Sequence, residues 1–136
     1  MPGEHPHAQL VRDFHDRQNL FYAGGDQASV AAMLTDDVTW HVPGRSEIAN
    51  DYRGRHEVLG HFARRRELTN ATFRITVNGV LADDQRAVIL ASAECTRAGR
   101  RDRWRTVSVF RLEQGLIAEC WVMPYDQALF DRIWEH

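Results

Sequence analysis

Residues Arg103–Met123 read R-W-R-T-V-S-V-F-R-L-E-Q-G-L-I-A-E-C-W-V-M. Two apolar-rich runs with strand-like alternation flank Gln114-Gly115, a dipeptide suited to a tight hairpin turn. Upstream, similar runs occupy Thr72–Ala82 and Arg86–Thr96, with Asp83-Asp84 between them and Ala98–Arg101 leading into the next strand. Four strands joined by turn residues, with no helix between them, call for an antiparallel sheet.

Before this meander the period changes. From Ala8 to Ala23, Leu10, Val11, Phe14, Gln18 and Phe21 follow a helical spacing that ends at Gly24-Gly25. Asp26 suits the N-cap of a short second helix carrying Val30, Met33 and Leu34. Val38–Val42 alternates as a strand, closed by Pro43-Gly44, and a loop runs through Arg45–Arg53 to Gly54. Arg55–Glu67 reads as a third helix with Val58, Leu59 and Phe62 as its apolar stripe. The tail, Pro124–His136, adds a short helical turn around Leu129, Phe130, Ile133 and Trp134. Residues 1–7 are expected to be disordered, since Pro2, Gly3 and Pro6 discourage regular structure. The whole chain, 1–136, reads as one α+β domain: a strongly curved antiparallel sheet wrapped by three N-terminal helices, which leaves a cone-shaped pocket.

Bulk chemistry narrows the function. The net charge of −2 gives no reason to expect nucleic acid or an anionic membrane as partner. No apolar run reaches the length of a membrane span, and the N-terminus lacks a signal-peptide layout. All seventeen basic residues are Arg, which excludes Schiff-base chemistry on a lysine amine. Cys95 and Cys120 are expected as buried thiols in a reducing cytoplasm. His56 and His61 stand five apart on one helix and share no face, so neither a metal nor any other cofactor is expected.

Several phrases then occur in a telling order: Y-A-G-G-D (Tyr22–Asp26), D-D-V-T-W (Asp36–Trp40), Pro43-Gly44, Y-R-G-R-H-E-V (Tyr52–Val58) and V-F-R-L-E-Q-G-L-I-A-E (Val109–Glu119). Together they resemble the nuclear-transport-factor-2-like superfamily, in its SnoaL-like and ketosteroid-isomerase-like branch, over residues 8–127. The resemblance implies a cone fold that hosts isomerases, cyclases, hydrolases and plain binding domains. It also implies that the isomerases' proton-shuttling Asp falls on Val42, their oxyanion-hole Tyr on Gln18, and the partner acid on Ser108. Val42 cannot move a proton, so a ketosteroid isomerase mechanism is not expected.

The same resemblance implies that Val42 faces the cone; alternation then turns Trp40 and Val38 inward and His41 outward. On later strands the inward set is Ala91, Ala93 and Cys95; Trp104, Thr106, Ser108 and Phe110; Cys120 and Val122. Gln18, Trp40, Val42, Tyr52, Phe62, Ala93, Trp104, Ser108, Phe110 and Val122 are therefore the expected ligand contacts, suited to an apolar aromatic or polycyclic molecule. Two residues are candidate catalysts. His41 is either a base or an outward residue held by a neighbouring element. Asp126 is either an acid/base at the mouth of the cone, as the resemblance to SnoaL-like cyclases implies, or a turn residue. Glu94 is expected to pair with an Arg on the convex face, and Arg64-Arg65-Arg66 to form a solvated helix end. Asp102, Arg103 and Arg105 are expected on an exposed polar face. Val107, Val109, Trp121 and Met123 would leave the convex face apolar, which points to a homodimer through the sheet. The expected function is a cofactor-free isomerase, cyclase or hydrolase, or alternatively a non-catalytic carrier of an apolar metabolite.

Overall fold

The computed structural model describes residues 4–135. Its elements are α1 (Pro6–Tyr22), α2 (Ala28–Ala31), β1 (Leu34–Val42), β2 (Asn50–Arg53), α3 (Arg55–Leu68), β3 (Arg74–Ala82), β4 (Arg86–Arg97), β5 (Arg100–Glu113), β6 (Leu116–Pro124) and α4 (Gln127–Ile133). The six strands form one sheet in the order β2-β1-β6-β5-β4-β3. From β3 to β6 it is the antiparallel meander read from the sequence. Two of its three hairpins turn at Ala98-Gly99 and Gln114-Gly115, where all four residues have positive φ as a type I′ turn requires. Shifts of register between Val77 and Gly79 and between Arg111 and Leu112 bend the meander into a half-cone.

Two features depart from the expectation. The sheet is not wholly antiparallel, because β1 runs parallel to β6, and its edges β2 and β3 stay open. Strand β1 also starts earlier than expected, at Leu34, since the Met33 carbonyl accepts the Ile117 amide at 2.8 Å. Residues 4–7 correct the expectation of disorder. Helix α1 begins at Pro6, where a missing N–H is no loss; the His5 ring accepts the His7 amide at 3.1 Å, and Arg12 pairs with Glu4. Residues 1–3 lie outside the described residues.

Aromatic rings fill the wide end of the cone. Trp40 meets Phe62 edge-on with centroids 4.9 Å apart, and Phe14 lies 6.1 Å from Phe110. A second group stacks Phe73 on Trp104 at 5.7 Å, with Trp134 edge-on to Trp104 at 5.8 Å. The loop before β2 is anchored by Glu47, whose buried carboxylate pairs with Arg64 of α3 and with Arg97 of β4. Arg97 in turn donates to the Ile133 carbonyl at 2.9 Å, so one carboxylate ties three elements together.

Helix α1 is fixed to the edge strand β3 by a single side chain. Asn19 Nδ2 donates to the Ile75 carbonyl at 2.7 Å, and Asn19 Oδ1 accepts the Ile75 amide at 2.9 Å. The amide thus occupies the position that a neighbouring strand residue would take. Asn19→Ala removes both bonds and is expected to lower stability by about 1–3 kcal/mol, measured by urea denaturation. An unchanged midpoint would show that packing alone holds the helix.

Candidate functional site

Alternation along β1 places Val38, Trp40 and Val42 in the core and His41 on the convex face. There His41 Nδ1 lies 2.8 Å from Asp51 Oδ1, its cross-strand partner, and Nε2 lies 2.6 Å from Glu119 Oε2 on β6. The ring stacks on Trp121 at 5.5 Å. Both nitrogens are occupied within the chain, so of the two readings of His41 the outward, paired one is what the geometry holds. Burial acts to lower its pKa, but the hydrogen bonds and charges of Asp51 and Glu119 outweigh it and raise the pKa above the usual histidine value. Beside it runs an open groove of about 660 Å³ lined by His41, Asp51, Trp121 and Met123.

The cone interior is smaller and differs chemically. A cavity of about 40 Å³ is lined by Gln18, Trp40, Ala93, Trp104, Ser108, Phe110 and Val122 from the expected contact set. Val42, Tyr52 and Phe62 do not line it. Phe62 packs behind Trp40, while Tyr52 stacks on His61 at 4.3 Å and donates its hydroxyl to the Ile48 carbonyl at 2.6 Å. Asp126 is also outside. Its exposed carboxylate caps α4 by accepting the Leu129 amide at 3.0 Å, and it lines a surface groove that meets the cavity wall at Trp104. A volume near 40 Å³ admits a head group rather than a whole polycycle.

Five further lining residues escaped the sequence reading: His15, Arg65, Phe73, Ile75 and Phe130. His15 Nδ1 lies 2.8 Å from the Val11 carbonyl; that oxygen can only accept, so Nδ1 carries the proton and Nε2 keeps its lone pair. Arg65 corrects the expectation of a solvated helix end. It is 7% exposed, donates to the Tyr22 hydroxyl, and its guanidinium lies 4.9 Å from the Phe73 ring centre. The overlooked signal is phase: Val58, Phe62, Arg65 and Thr69 are spaced four, three and four apart, on one helical face. Asp102 is a second correction. It faces inward on β5, buried, and Arg100 Nε pairs with it at 2.8 Å. Glu94 does pair on the convex face, with Arg101 at 3.0 Å. Cys95 and Cys120 are free, buried thiols, and burial pushes Cys95 up to about 11.

The interior differs from the convex groove in its unmet hydrogen bonding. Gln18 is 1% exposed, yet neither its Nε2 nor its Oε1 finds a partner within the chain. Trp40 Nε1 and Arg65 Nε are likewise buried and unpartnered. Each such group costs stability unless a ligand or solvent meets it, and outside the cavity the same holds for Thr35, Ser46, Arg55, His61 and Trp134. The convex groove is larger, but His41 and Asp51 there already satisfy each other. Among the described residues no group of three or more His, Cys, Asp or Glu could hold a metal ion, and no helix is long and apolar enough to cross a membrane.

A curved sheet closed by helices over a small aromatic cavity with polar groups inside defines a cone-fold, small-molecule-binding protein. More narrowly, the chain belongs to the SnoaL-like domain family, which matches residues 11–120. Its fold is similar to that of Bal32a from a soil-derived mobile gene cassette, with 26% identity and a TM-score of 0.83, covering 94% of this chain and 98% of that one. A putative SnoaL-like polyketide cyclase from Jannaschia sp. is similar in fold at 14% identity and TM-score 0.76, covering 96% and 95% of the two chains. TerC, crystallised with polyporic acid, is similar at 14% identity and TM-score 0.76, covering 93% and 99%. No curated protein sequence matches the chain significantly.

The histidines give the protein opposed pH limbs. Burial, partly offset by the Val11 carbonyl and reinforced by the Arg65 charge, lowers His15 to about 4; burial and Arg65 also hold His61 well below its usual value. Below about pH 6.5 the unfolded chain takes up protons that these rings refuse, so their contribution falls as pH drops toward 4. His41 acts the other way: its contribution is complete below about 6.5 and is lost as pH rises through its raised pKa. Urea midpoints followed across this range should show a loss of about 3 kcal/mol on the acid side from His15, absent in His15→Leu. The His41→Gln variant should lose the alkaline limb. Identical slopes for His15→Leu and the wild type would refute the assignment.

Proposed function

We propose that the cone interior is the ligand site and that the protein binds a small aromatic metabolite there. The observation that carries this reading is the Gln18 amide, buried and unpartnered against walls of Trp40, Trp104 and Phe110. The head of the ligand occupies the cavity, and its remainder extends past His15 and Ile75, which also line a groove of about 410 Å³ between α1 and β3. TerC, a relative in fold, was crystallised with an organic acid, polyporic acid, which is in keeping with a fold that takes such molecules.

A carrier and a cofactor-free isomerase, cyclase or hydrolase share this pocket. Carriage is favoured by Val42 at the position where the isomerases hold their proton-shuttling Asp, and by a lining without a carboxylate. Turnover is favoured by His15, whose Nε2 lone pair belongs to a ring lining the cavity. Asp126 serves such a reaction only on the part of a ligand that emerges beyond Trp104. Asp126→Asn and His15→Gln assayed against the substrate separate the two carriers of protons.

4-Nitroanisole, an uncharged nitroaromatic, is expected to quench the emission of Trp40 and Trp104 saturably in Trp121→Phe protein. Ala93→Leu, which fills the cavity, should weaken that binding tenfold or more without changing the far-ultraviolet circular dichroism. Equal binding by the filled variant would exclude the cone as the site. For the convex face, we propose self-association through Val109, Trp121 and Met123, which leave an apolar surface of which Met123 is 44% exposed. Sedimentation at micromolar concentration is expected to give a dimer that Trp121→Glu converts to monomer; a monomeric wild type would refute this.

A further inference from the structure

Arg65 is a buried cation with no carboxylate to answer it. Acids on and before its helix serve other groups: Glu67 lies 3.6 Å from Arg64, Glu57 accepts the Arg53 amide at 3.0 Å, Asp51 pairs with His41, and Glu47 holds Arg64 and Arg97. Arg66, the next residue, is satisfied by the carbonyls of Phe21 and Gly25, each at 3.2 Å. Arg65 has the Tyr22 hydroxyl and three ring faces, those of Tyr22, Phe62 and Phe73, with 4.9 Å the shortest centroid distance. Ring faces soften a cation's desolvation but leave its charge in place, and a guanidinium cannot shed its proton at any ordinary pH. Its Nε has no partner within the chain.

The surroundings record that uncompensated charge. After burial itself, Arg65 is the electrostatic influence that lowers His61, and it contributes to the lowering of His15. The cavity it lines offers two more donors, the Gln18 amide and the Trp40 indole N–H, both buried and unpartnered. Acidic side chains are missing from that lining altogether. Beside the His15 lone pair and the Gln18 carbonyl, these donors around one fixed positive charge, in walls otherwise aromatic, aliphatic or hydroxyl-bearing, are complementary to a flat molecule with an oxyanion at its head.

We propose that the cone recognises an anionic ligand, whose carboxylate, phenolate or enolate oxygen is received by Arg65, with Gln18 and Trp40 as further donors. This rests on the cone being the ligand site and adds the charge of what it takes. A volume of about 40 Å³ suits one such head group. The ring that bears the oxyanion leans on Trp104 and Phe110, and the selectivity against the neutral analogue comes from the charge it brings to the guanidinium.

The two parts of this reading are separable with 4-nitrophenol, whose phenolate is coloured and whose phenol is not. Burial in an apolar cavity without a cation raises the pKa of a phenol, whereas Arg65 lowers it, so the direction of the shift decides. In the wild type the bound dye is expected to ionise at a proton concentration at least tenfold higher than in water. In Arg65→Met the shift should reverse sign, and Arg65→Lys should restore it in part. Gln18→Leu, which leaves the cation in place, should shrink the shift without abolishing it. A bound dye that stays neutral in the wild type overturns the anion assignment while leaving the binding site intact. Failure of both 4-nitrophenol and 4-nitroanisole to bind overturns the site and this inference together. Should Arg65→Met not fold, the wild-type shift and Arg65→Lys still decide the outcome.

Discussion

A guanidinium held among rings is the constraint around which the helical side of this molecule is arranged. Arg65 sits where α3 faces α1 and the start of β3, touching Tyr22 from one and Phe73 from the approach to the other. A charge placed there has to be surrounded by groups that tolerate it. The neighbouring positions are accordingly aromatic or neutral imidazole: Phe62 on its own helix, Tyr22 and His15 on α1. The sheet supplies the opposite wall from Trp104, Ser108 and Phe110, with small residues such as Ala93 leaving room between. Pocket lining and helix packing thus meet at one charge, which adds to the burial that chiefly lowers His15.

The two sides of the sheet answer the same problem in opposite ways. On the convex face several charges find partners on the same or neighbouring strands: His41 with Asp51 and Glu119, Arg111 with Glu119 and Glu113, Glu94 with Arg101. Such pairs between half-exposed groups contribute little stability each, but they leave nothing for a ligand to satisfy. Inside the cone the polar groups are few and incompletely paired. In the larger groove His41, Asp51 and Gln127 are already engaged within the chain.

Much of this was legible in the residues. The meander followed from alternation and from Gln114-Gly115, and the orientation of His41 followed from Trp40 and Val42 being apolar on either side of it. The family resemblance placed Gln18 and Ser108 at the cavity, and alternation from Val42 and Ser108, themselves set by that resemblance, placed Trp40 and Trp104. What was missed has physical causes. Strand β2 is four residues of mostly exposed polar character, so its structure comes from pairing with β1 and has no pattern of its own. Arg65 was hidden by its neighbours: three consecutive arginines read as one solvated run, although helical phase sends only the middle one inward. Asp102 was misjudged in the same way, because alternation from Trp104 points it into the fold and only its charge argued otherwise.

The Asn19 contact has a consequence beyond holding α1 in place. An open sheet ends in strands whose outward amides and carbonyls can recruit a strand from another molecule. Strand β2 is too short to serve as a long template, and on β3 the outward groups of Ile75 are taken up by a side-chain amide. The helix therefore acts as a chemical stopper at that point of the edge, in a sheet that the fold leaves open at both ends.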